Sequence, residues 1–363
     1  MKKLTCFICS LSSGGAEHQL ITLCDMLANR GYTVKIVTFA DIEDHYKLPT
    51  SIQRIRIGRN RNMLAKFISI FIFFIKEKTD CIISYGQREN VLCLLPLLFR
   101  RKIKVIAGER NYTAGRQSTV EYILFNFLYA RADYIVPNSY SQQRHIVSLK
   151  KNLKEKVKTI INYTDINEYQ PKPAPNNKVP LIGVFCRYAP QKNYIGLGHA
   201  IKILKKHIGS TFKFIWYGNQ YDKNGEYNND YLIFKHFIED NDLQDVFILN
   251  NHIKNVSEAM NELDAVCIPS LYEGFSNSIS EAICSGKPML VSDVSDNSVM
   301  VKDKINGYLF NPLDYEDIAN KVYDFINLNA EQKKQMGQQS RIIAESLFNP
   351  NEFISKYIEL IES

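Results

Sequence analysis

The feature that most constrains the fold is an alternation of short apolar runs with segments of helical length. In the first half of the chain, apolar runs at 4–9, 33–39, 81–84, 104–107 and 134–137 are separated by longer segments, such as 16–29, with helical patterning. Neighbouring parallel strands need a crossover connection of this length, usually a helix. The pattern therefore predicts consecutive βαβ units in a parallel sheet.

Prolines interrupt this alternation near the middle of the chain. The segment 169–178, Tyr-Gln-Pro-Lys-Pro-Ala-Pro-Asn-Asn-Lys, is polar and proline-rich, and proline disfavours helix in the residue before it. The same alternation then restarts at 179–185 and continues through 212–217, 246–249, 265–269 and 288–292.

These patterns predict an α/β protein with two doubly wound, Rossmann-like domains that face each other across a cleft. We place the first domain at 1–168, the linker at 169–178 and the second domain at 179–345. The last residues, 346–363, are expected to form a helix that packs back toward the first domain. Open sheets of this kind bind ligands at the carboxyl ends of their strands.

The two halves of the chain carry opposite net charge. Residues 1–163 hold 26 Lys and Arg against 12 Asp and Glu, whereas residues 164–363 hold 19 against 26. A basic half suggests an anionic partner, such as a phosphate group, a nucleic acid or an anionic lipid. Since no nucleic-acid recognition motif accompanies this charge, we expect no nucleic-acid partner.

The cysteines and the apolar runs bear on the compartment. Eight cysteines stand singly in apolar stretches, without the spacing of a disulfide framework. Buried thiols in a reducing compartment are expected, which favours a cytoplasmic protein. The longest apolar run, 67–75, has about half the length of a membrane-spanning helix, so no spanning segment is predicted.

One loop in each domain carries groups that suit an anion. Gly14 and Gly15 precede a predicted helix, whose free amides and dipole attract negative charge. In the second domain, Arg187 and Lys192 follow the first strand and could converge on a diphosphate. A plain tight turn and solvated surface cations are the respective alternatives.

A third segment places two carboxylates around a predicted helix start. Glu273 lies in the loop after 265–269, and Glu281 lies in the first turns of a helix that begins near Ser276. The helix start offers amides to a phosphate, and carboxylates accept hydrogen bonds from sugar hydroxyls. Acidic residues also occur near helix starts for dipole reasons alone.

These motifs resemble those of a known family. Pro-Ser-Leu-Tyr-Glu-Gly-Phe at 269–275 and Glu-Ala-Ile-Cys-Ser-Gly-Lys-Pro at 281–288 look like the signature of the family-four glycosyltransferases, which have the GT-B fold. The rest of the pattern follows the family's order, with Gly-Gly-Ala-Glu at 14–17, Arg187 with Lys192, and Asn-Gly-Tyr-Leu-Phe at 306–310. The resemblance covers nearly the whole chain.

The resemblance implies a retaining, metal-independent hexosyltransferase without a cofactor. Its donor would be a nucleotide diphosphate sugar, most often UDP-linked in this family, and its acceptor a polyprenyl-diphosphate-linked or other glycan of surface polysaccharide assembly, such as O-antigen or capsule. Glu273 would contact the donor sugar and Glu281 the ribose, while Arg187 and Lys192 would stabilise the departing diphosphate. The further donor-binding residues that it implies are Gly14, Gly15, Asn251, Gly274, Phe275, Ser276, Asn277 and Ser278.

The acceptor side departs from many family members. Where many carry a histidine close to the transferring sugar, this chain has Glu109, Arg110 and Asn111. The triplet is similar to that of members that transfer hexosamines to polyprenyl-linked acceptors. Glu109 would then be a catalytic base or a hydroxyl anchor, and Arg110 would meet a phosphate. A buried salt bridge between structural groups is the alternative.

One acidic triplet matches a metal-binding motif in residue type only. Asp240-Asn241-Asp242 matches the triplet that holds a divalent ion in some glycosyltransferases. It ends a predicted helix in a polar stretch, so we interpret it as a solvated helix end. No metal is predicted, because this family uses cationic side chains and helix ends where other enzymes use an ion.

Basic residues near two apolar runs predict peripheral docking on the anionic inner face of a membrane. Core-packing helices with solvated basic ends are the alternative. The first group, Arg59, Arg61, Lys66, Lys76 and Lys78, surrounds 67–75, and the second, Arg100, Arg101, Lys102 and Lys104, follows 91–99.

Two other functions remain as alternatives. A nucleotide-sugar epimerase of the same fold would need acid and base residues for the sugar and would form product without an acceptor. A non-catalytic relative that binds sugar nucleotides is disfavoured because both glutamates and both cations are present.

Overall fold

The computed structural model describes residues 2–12, 14–59, 61–99, 103–110, 127–173, 175, 177–222 and 224–363. The chain divides into two compact units: Met1–Tyr163 with Pro350–Ser363, and Thr164–Asn349. The second unit begins at Thr164, so the proline-rich segment 169–178 lies within it. The last helix is grouped with the first unit, although it follows the second in the chain.

The first unit is built on a six-stranded parallel sheet. Its order is β3-β2-β1-β4-β5-β6, the order of a Rossmann fold, in which the direction of winding reverses between β1 and β4. The strands are β1 Lys3–Phe7, β2 Thr33–Thr38, β3 Gln53–Arg56, β4 Cys81–Tyr85, β5 Lys104–Glu109 and β6 Tyr134–Pro137.

Helices cover this sheet, and their starts follow from local capping. Asn62 accepts a hydrogen bond from the Ala65 amide at 2.9 Å, which satisfies an amide that the helix itself leaves without a partner. Ser139 caps another helix in the same way through Gln142. The described helices of this unit are α1 Gly15–Asn29, α2 Met63–Lys76, α3 Gln87–Leu94, α4 Tyr140–Leu149 and the C-terminal helix α12 Pro350–Glu362.

The second unit repeats the architecture. Its sheet has the order β12-β11-β10-β7-β8-β9, again with parallel pairing and with the reversal between β7 and β10. Its strands are β7 Leu181–Phe185, β8 Lys213–Tyr217, β9 Phe247–Asn250, β10 Ala265–Ile268, β11 Met289–Ser292 and β12 Gly307–Phe310. Its helices are α5 Tyr194–Ile208, α6 Asn229–Asp240, α7 Val256–Asn261, α8 Asn277–Cys284, α9 Asn297–Met300, α10 Tyr315–Ile326 and α11 Ala330–Leu347.

The edge of the second sheet explains one glycine of the sequence motif. Gly307 begins β12 and pairs with Met289 of β11. A Cβ atom at this position would collide with the Met289 carbonyl oxygen. Glycine is therefore needed because the two strands approach closely there.

The sequence prediction of two Rossmann-like α/β sheets is confirmed. Helix α6 ends at Asp240, so Asp240-Asn241-Asp242 does mark a helix end. In the described part of the chain, no group of three or more His, Cys, Asp or Glu side chains is arranged to hold a metal ion. None of the described helices has the length and apolarity required to cross a membrane.

Candidate functional site

The strongest candidate site lies at the carboxyl edge of the second sheet. The loop 187–193 follows β7, and the loop 270–276 follows β10, its neighbour in the sheet. These two loops therefore flank the point where the strand order reverses. Ligands of doubly wound sheets bind at this position because the loops diverge there and leave a crevice.

Lys192 and Glu273 form an ion pair between the two loops. The Lys192 Nζ atom donates to Glu273 Oε1 at 2.5 Å, although the residues are 81 positions apart in the chain. Their side chains are only 15% and 8% exposed. Burial lowers the pKa of Lys192. Electrostatic interactions with the Cys186 thiol and the Glu273 carboxylate raise it by more, so its pKa lies above the ordinary value. Lys192 therefore carries a positive charge at neutral pH.

Two hydrogen bonds to main-chain carbonyl oxygens join these loops. The Leu271 amide donates to the Gln191 carbonyl oxygen at 2.8 Å, and Gln191 Nε2 donates to the Tyr272 carbonyl oxygen at 2.8 Å. Arg187 is exposed and lies 3.4 Å from Gln191 Oε1 through its Nη2 atom. The loops thus present a fixed lysine and an accessible arginine, which together suit a diphosphate.

Helix α8 adds amide donors to the same edge. Ser276 is its N-cap residue and makes no capping hydrogen bond through its side chain. Ser278 Oγ instead donates to the Phe185 carbonyl oxygen at 2.8 Å, which fixes the helix start beside the end of β7. Asn277 is the first residue of α8. Because first-turn amides have no partner within a helix, a helix start of this kind can receive a phosphate oxygen. Gly274 and the buried Phe275 precede this start.

Glu281 lies further along α8 and is half-buried. Burial raises its pKa to about 8, the charge of Glu168 adds to this effect, and a hydrogen bond with Tyr169 opposes it. The carboxyl group is thus poorly solvated in the absence of a ligand. A hydroxyl group that donated to it would stabilise its charged form.

Asn251 follows β9 at the same edge of the sheet. Its Oδ1 atom accepts from the Gln220 amide at 3.3 Å and from the His252 amide at 2.8 Å. Its side chain therefore orders the loop around 250–252. The donor-binding role that the resemblance implies for Asn251 stays a prediction.

The glycine loop of the first unit precedes α1. Gly14 is the N-cap residue of that helix, with Gly15 as its first residue. A Cβ atom at Gly14 would collide with the Glu17 carboxylate, and Glu17 also accepts a hydrogen bond from Ser12 Oγ at 3.3 Å. The helix start is thus covered by a carboxylate of its own first turn. An incoming anion would have to displace this side chain.

Glu109 ends β5 and is enclosed by hydrogen-bond donors. Its carboxylate accepts from Asn90 Nδ2 at 3.0 Å, from Gln142 Nε2 at 3.4 Å and from the Tyr129 hydroxyl group. Burial raises its pKa to about 8, although Asn90 and Arg110 lower it. This arrangement brings Glu109 into a buried polar network at the carboxyl edge of the first sheet.

Arg110 contacts residues other than those that contact Glu109. It is 8% exposed, and its Nη1 atom donates to Asn162 Oδ1 at 3.1 Å. Among the described residues, no carboxylate oxygen lies within ion-pair distance of its guanidinium group. The alternative of a salt bridge with Glu109 is therefore not observed. Asn111, the third acceptor-side residue, lies outside the described residues.

Two residues that contribute to these sites are absent from the sequence predictions. Ser295 follows β11, and its Oγ atom accepts from the Glu273 amide at 3.2 Å. Asn90 lies in α3, where its amide group joins Glu109 to the Gly108 carbonyl oxygen at 3.1 Å. The position of Asn90 on the buried face of α3 is the only sequence feature that could have indicated its role.

Comparisons with known proteins agree with the motifs. The family model "Glycosyltransferase Family 4" matches residues 13–168, and "Glycosyl transferases group 1" matches residues 165–342. A Campylobacter jejuni N-acetylgalactosamine-N,N'-diacetylbacillosaminyl-diphospho-undecaprenol 4-alpha-N-acetylgalactosaminyltransferase is 24% identical over 310 residues, with 81% of each chain covered.

A second C. jejuni relative is named for a similar activity. This GalNAc-alpha-(1->4)-GalNAc-alpha-(1->3)-diNAcBac-PP-undecaprenol alpha-1,4-N-acetyl-D-galactosaminyltransferase is 24% identical over 344 residues, covering 90% of this chain and 89% of that protein.

Solved structures share the fold across the full chain. Sucrose-phosphate synthase from Thermosynechococcus elongatus has a TM-score of 0.83 at 15% identity, covering 100% of this chain and 98% of the other. Anabaena HepE, solved in complex with UDP and glucose, has a TM-score of 0.82 at 18% identity, with 100% of both chains covered. The motifs, the two family models and the fold agree: the chain belongs to the family-four glycosyltransferases.

Proposed function

We propose that this glycosyltransferase moves a hexose or N-acetylhexosamine from a nucleotide diphosphate sugar, with UDP as the nucleotide, to a lipid-linked saccharide. The observation that carries the proposal is the switch point of the second sheet, where Lys192 is held by Glu273 beside the exposed Arg187. Both relatives from C. jejuni are named for acceptors built on diphospho-undecaprenol or PP-undecaprenol. A lipid-linked acceptor in surface polysaccharide assembly is the corresponding proposal here.

The proposed chemistry depends on charge at the leaving group. When the bond to the anomeric carbon breaks, negative charge grows on the β-phosphate, and positive charge grows on the sugar. Arg187, Lys192 and the amides at the start of α8 can stabilise that phosphate as preorganised electrostatics, without a metal ion. Glu273 would hold hydroxyl groups of the sugar.

We further propose that the configuration at the anomeric carbon is retained. The acceptor hydroxyl would attack from the face that the diphosphate leaves, and the departing phosphate would take up the hydroxyl proton. Glu109 remains a candidate base, but its carboxylate is already occupied by three donors. Proton transfer to the leaving phosphate therefore requires fewer changes in the protein than proton transfer to Glu109.

Transfer is tested with donor alone and with donor plus acceptor. UDP-hexoses and UDP-N-acetylhexosamines are incubated with polyprenyl-diphosphate-sugar acceptors, products are detected by mass spectrometry, and the anomeric configuration is determined by NMR. Glu273→Ala should lower turnover, whereas Lys205→Met, which breaks an ion pair with Asp245 elsewhere in the same unit, should not. Conversion of donor without acceptor would support an epimerase instead, and binding without turnover would support a non-catalytic relative.

The proposed site of action is the inner face of a membrane, and α2 supports it. Only Ile70 and Phe74 of its 14 residues are buried. A helix that is apolar on most sides is normally buried in a core or in lipid. The exposed Phe99 extends this surface, because its ring contacts the ring of Phe71 in α2. The large exposed apolar residues of α2 are Met63, Leu64, Phe67, Ile68 and Ile72.

Basic residues surround this apolar surface. Arg59, Arg61, Lys76 and Lys78 are exposed, whereas Lys66 is paired with Asp41 at 2.8 Å. Each cation near an anionic leaflet contributes about 1 kcal/mol. In the second predicted cluster, Lys104 donates to carbonyl oxygens at the end of α12 and is therefore committed, and Arg100, Arg101 and Lys102 lie outside the described residues.

Vesicle sedimentation tests this surface. Wild type should bind vesicles that contain anionic lipid, more weakly at high salt, because salt screens the basic residues. Leu64→Ser with Phe67→Ser should abolish binding. The matched control, Leu313→Ser with Ile342→Ser, removes two exposed apolar side chains of the second unit and should bind as wild type does. Equal binding by both double variants would contradict the proposal.

A further inference from the structure

The C-terminal helix brings a tyrosine to the carboxyl edge of the first sheet. Tyr357 lies on the buried face of α12 and is fully buried. Its hydroxyl oxygen is 2.7 Å from that of Tyr85, the last residue of β4, and 2.6 Å from Nη2 of Arg110, which follows β5. A residue near the end of the chain thus reaches the acceptor-side motif.

Three groups fix the guanidinium of Arg110. Its carbon atom lies 3.8 Å from the ring centroid of Tyr85, a cation–π contact. Nη1 donates to Asn162, and Nη2 donates to the Tyr357 hydroxyl group. These contacts set the plane of the guanidinium and its rotation within that plane.

The guanidinium nevertheless retains capacity for a ligand. It has five N–H donors, of which one at Nη1 and one at Nη2 are accounted for. Its Nε atom is buried and has no hydrogen-bond partner in the part of the chain that the structure describes. A buried cation without a carboxylate partner is costly unless an anion accompanies it. Arg110 is therefore arranged to receive an anion.

We propose that Tyr357 is a positioning residue, which holds Arg110 in the orientation that binds the diphosphate of the acceptor. The inference rests on the proposed function, because that function supplies an acceptor with a diphosphate. Tyr357 acts only through Arg110 and takes no part in the chemistry. Without its hydroxyl group, the guanidinium keeps its stacking on Tyr85 but loses one of two side-chain hydrogen bonds.

Attachment of α12 does not depend on this hydroxyl group. Glu362 accepts from Tyr32 at 2.8 Å and pairs with Lys2 at 2.8 Å, and Arg30 donates to Asn351 at 2.7 Å. Phe353 and Leu360 are buried on the same face. Tyr357→Phe should therefore leave the helix in place, and Tyr32→Phe offers a matched control that removes a hydroxyl hydrogen bond to the same helix without approaching Arg110.

The test compares steady-state kinetics of Tyr357→Phe and Tyr32→Phe. Losing one hydrogen bond to a charged group should raise the acceptor KM of Tyr357→Phe about tenfold. Its donor KM should stay within about twofold of wild type, and Tyr32→Phe should match wild type in both. Adding Tyr357→Phe to Arg110→Lys should cause less than the tenfold change, since the two residues act as one unit.

Two results would overturn the inference: an unchanged acceptor KM in Tyr357→Phe, or an equal rise in both tyrosine variants. Binding of farnesyl diphosphate, measured by calorimetry, separates this inference from the proposed function. Tyr357→Phe should weaken that binding relative to Tyr32→Phe even if no acceptor sugar supports transfer. Equal affinities in the two variants would refute the positioning role, whereas a wild type that transfers no sugar would refute only the proposed function.

Discussion

Replacing Lys192 with methionine removes the ammonium group but keeps most of the side chain's length. The carboxylate of Glu273 would then lose its cation while staying 92% enclosed, since only 8% of its side chain is exposed. Removing one partner of a buried ion pair costs about 3–5 kcal/mol. We therefore expect Lys192→Met to lower the free energy of unfolding by about 3 kcal/mol.

A second substitution, Glu273→Gln, allows the interaction energy between Lys192 and Glu273 to be measured. Glu273→Gln leaves an amide oxygen that can still accept from Lys192, so it should cost less than Lys192→Met. In the double variant neither charge is buried without a partner. The loss should therefore be smaller than the sum of the single losses, by about 2 kcal/mol, a typical interaction energy for contacting residues.

Urea unfolding gives the required free energies. The only tryptophan of the chain, Trp216, is fully buried in the second unit, so its fluorescence reports on the unit that contains the pair. Lys205→Met is the control, because its partner Asp245 is 48% exposed, and exposed pairs contribute about 0–1 kcal/mol. If Lys192→Met were as stable as Lys205→Met, the ion pair would not hold these loops together as argued.

Three further predictions concern the site. Glu281→Ala should mainly weaken donor binding, and Glu273→Ala should mainly lower kcat; wild-type kinetics in both would refute the assignment. Arg187→Ala should cost about 2–4 kcal/mol of transition-state stabilisation, and activity should survive EDTA; loss in EDTA that magnesium or manganese restores would contradict this. Because burial raises the pKa of Glu109 to about 8, its protonated form stabilises the fold below about pH 4, and this contribution is lost as the pH rises through 8. Unfolding free energies of Glu109→Gln should therefore depend less on pH between 5 and 8.

The sequence predicted ten of the strands because they are short apolar runs. The edge strand β3, Gln-Arg-Ile-Arg, has no such run, since two of its four residues are exposed and the other two are only half-buried. In the second sheet, the edge strand β12 is recognisable in the sequence only through the Asn-Gly-Tyr-Leu-Phe motif at 306–310. Edge strands have one neighbour, so their sequences are less constrained by burial than those of central strands. Apolar periodicity therefore defines the centre of each sheet better than its edges.

The candidate site also has features that the sequence predicts and features that it does not. The sequence places Arg187, Lys192 and Glu273 after strands of one domain, so their shared edge can be predicted from the order of the elements. The pairing of Lys192 with Glu273 could not be predicted, because it depends on the adjacency of β7 and β10. The contact of Tyr357 with Arg110 was still less accessible, since it joins residues 247 positions apart through the packing of the last helix.

An arginine without a carboxylate partner among the described residues lies at the carboxyl edge of each sheet: Arg110 in the first unit and Arg187 in the second. A transfer between a nucleotide diphosphate sugar and a polyprenyl diphosphate saccharide involves two diphosphates, and each can be bound by one arginine. An epimerase that acts on the donor alone needs only one such site. Arg110→Gln should therefore raise the acceptor KM and leave donor affinity, measured by UDP binding, unchanged, whereas Arg187→Gln should weaken UDP binding. If Arg110→Gln weakened UDP binding as much as Arg187→Gln does, both arginines would serve one diphosphate, and the argument for a second, acceptor-binding site would fail.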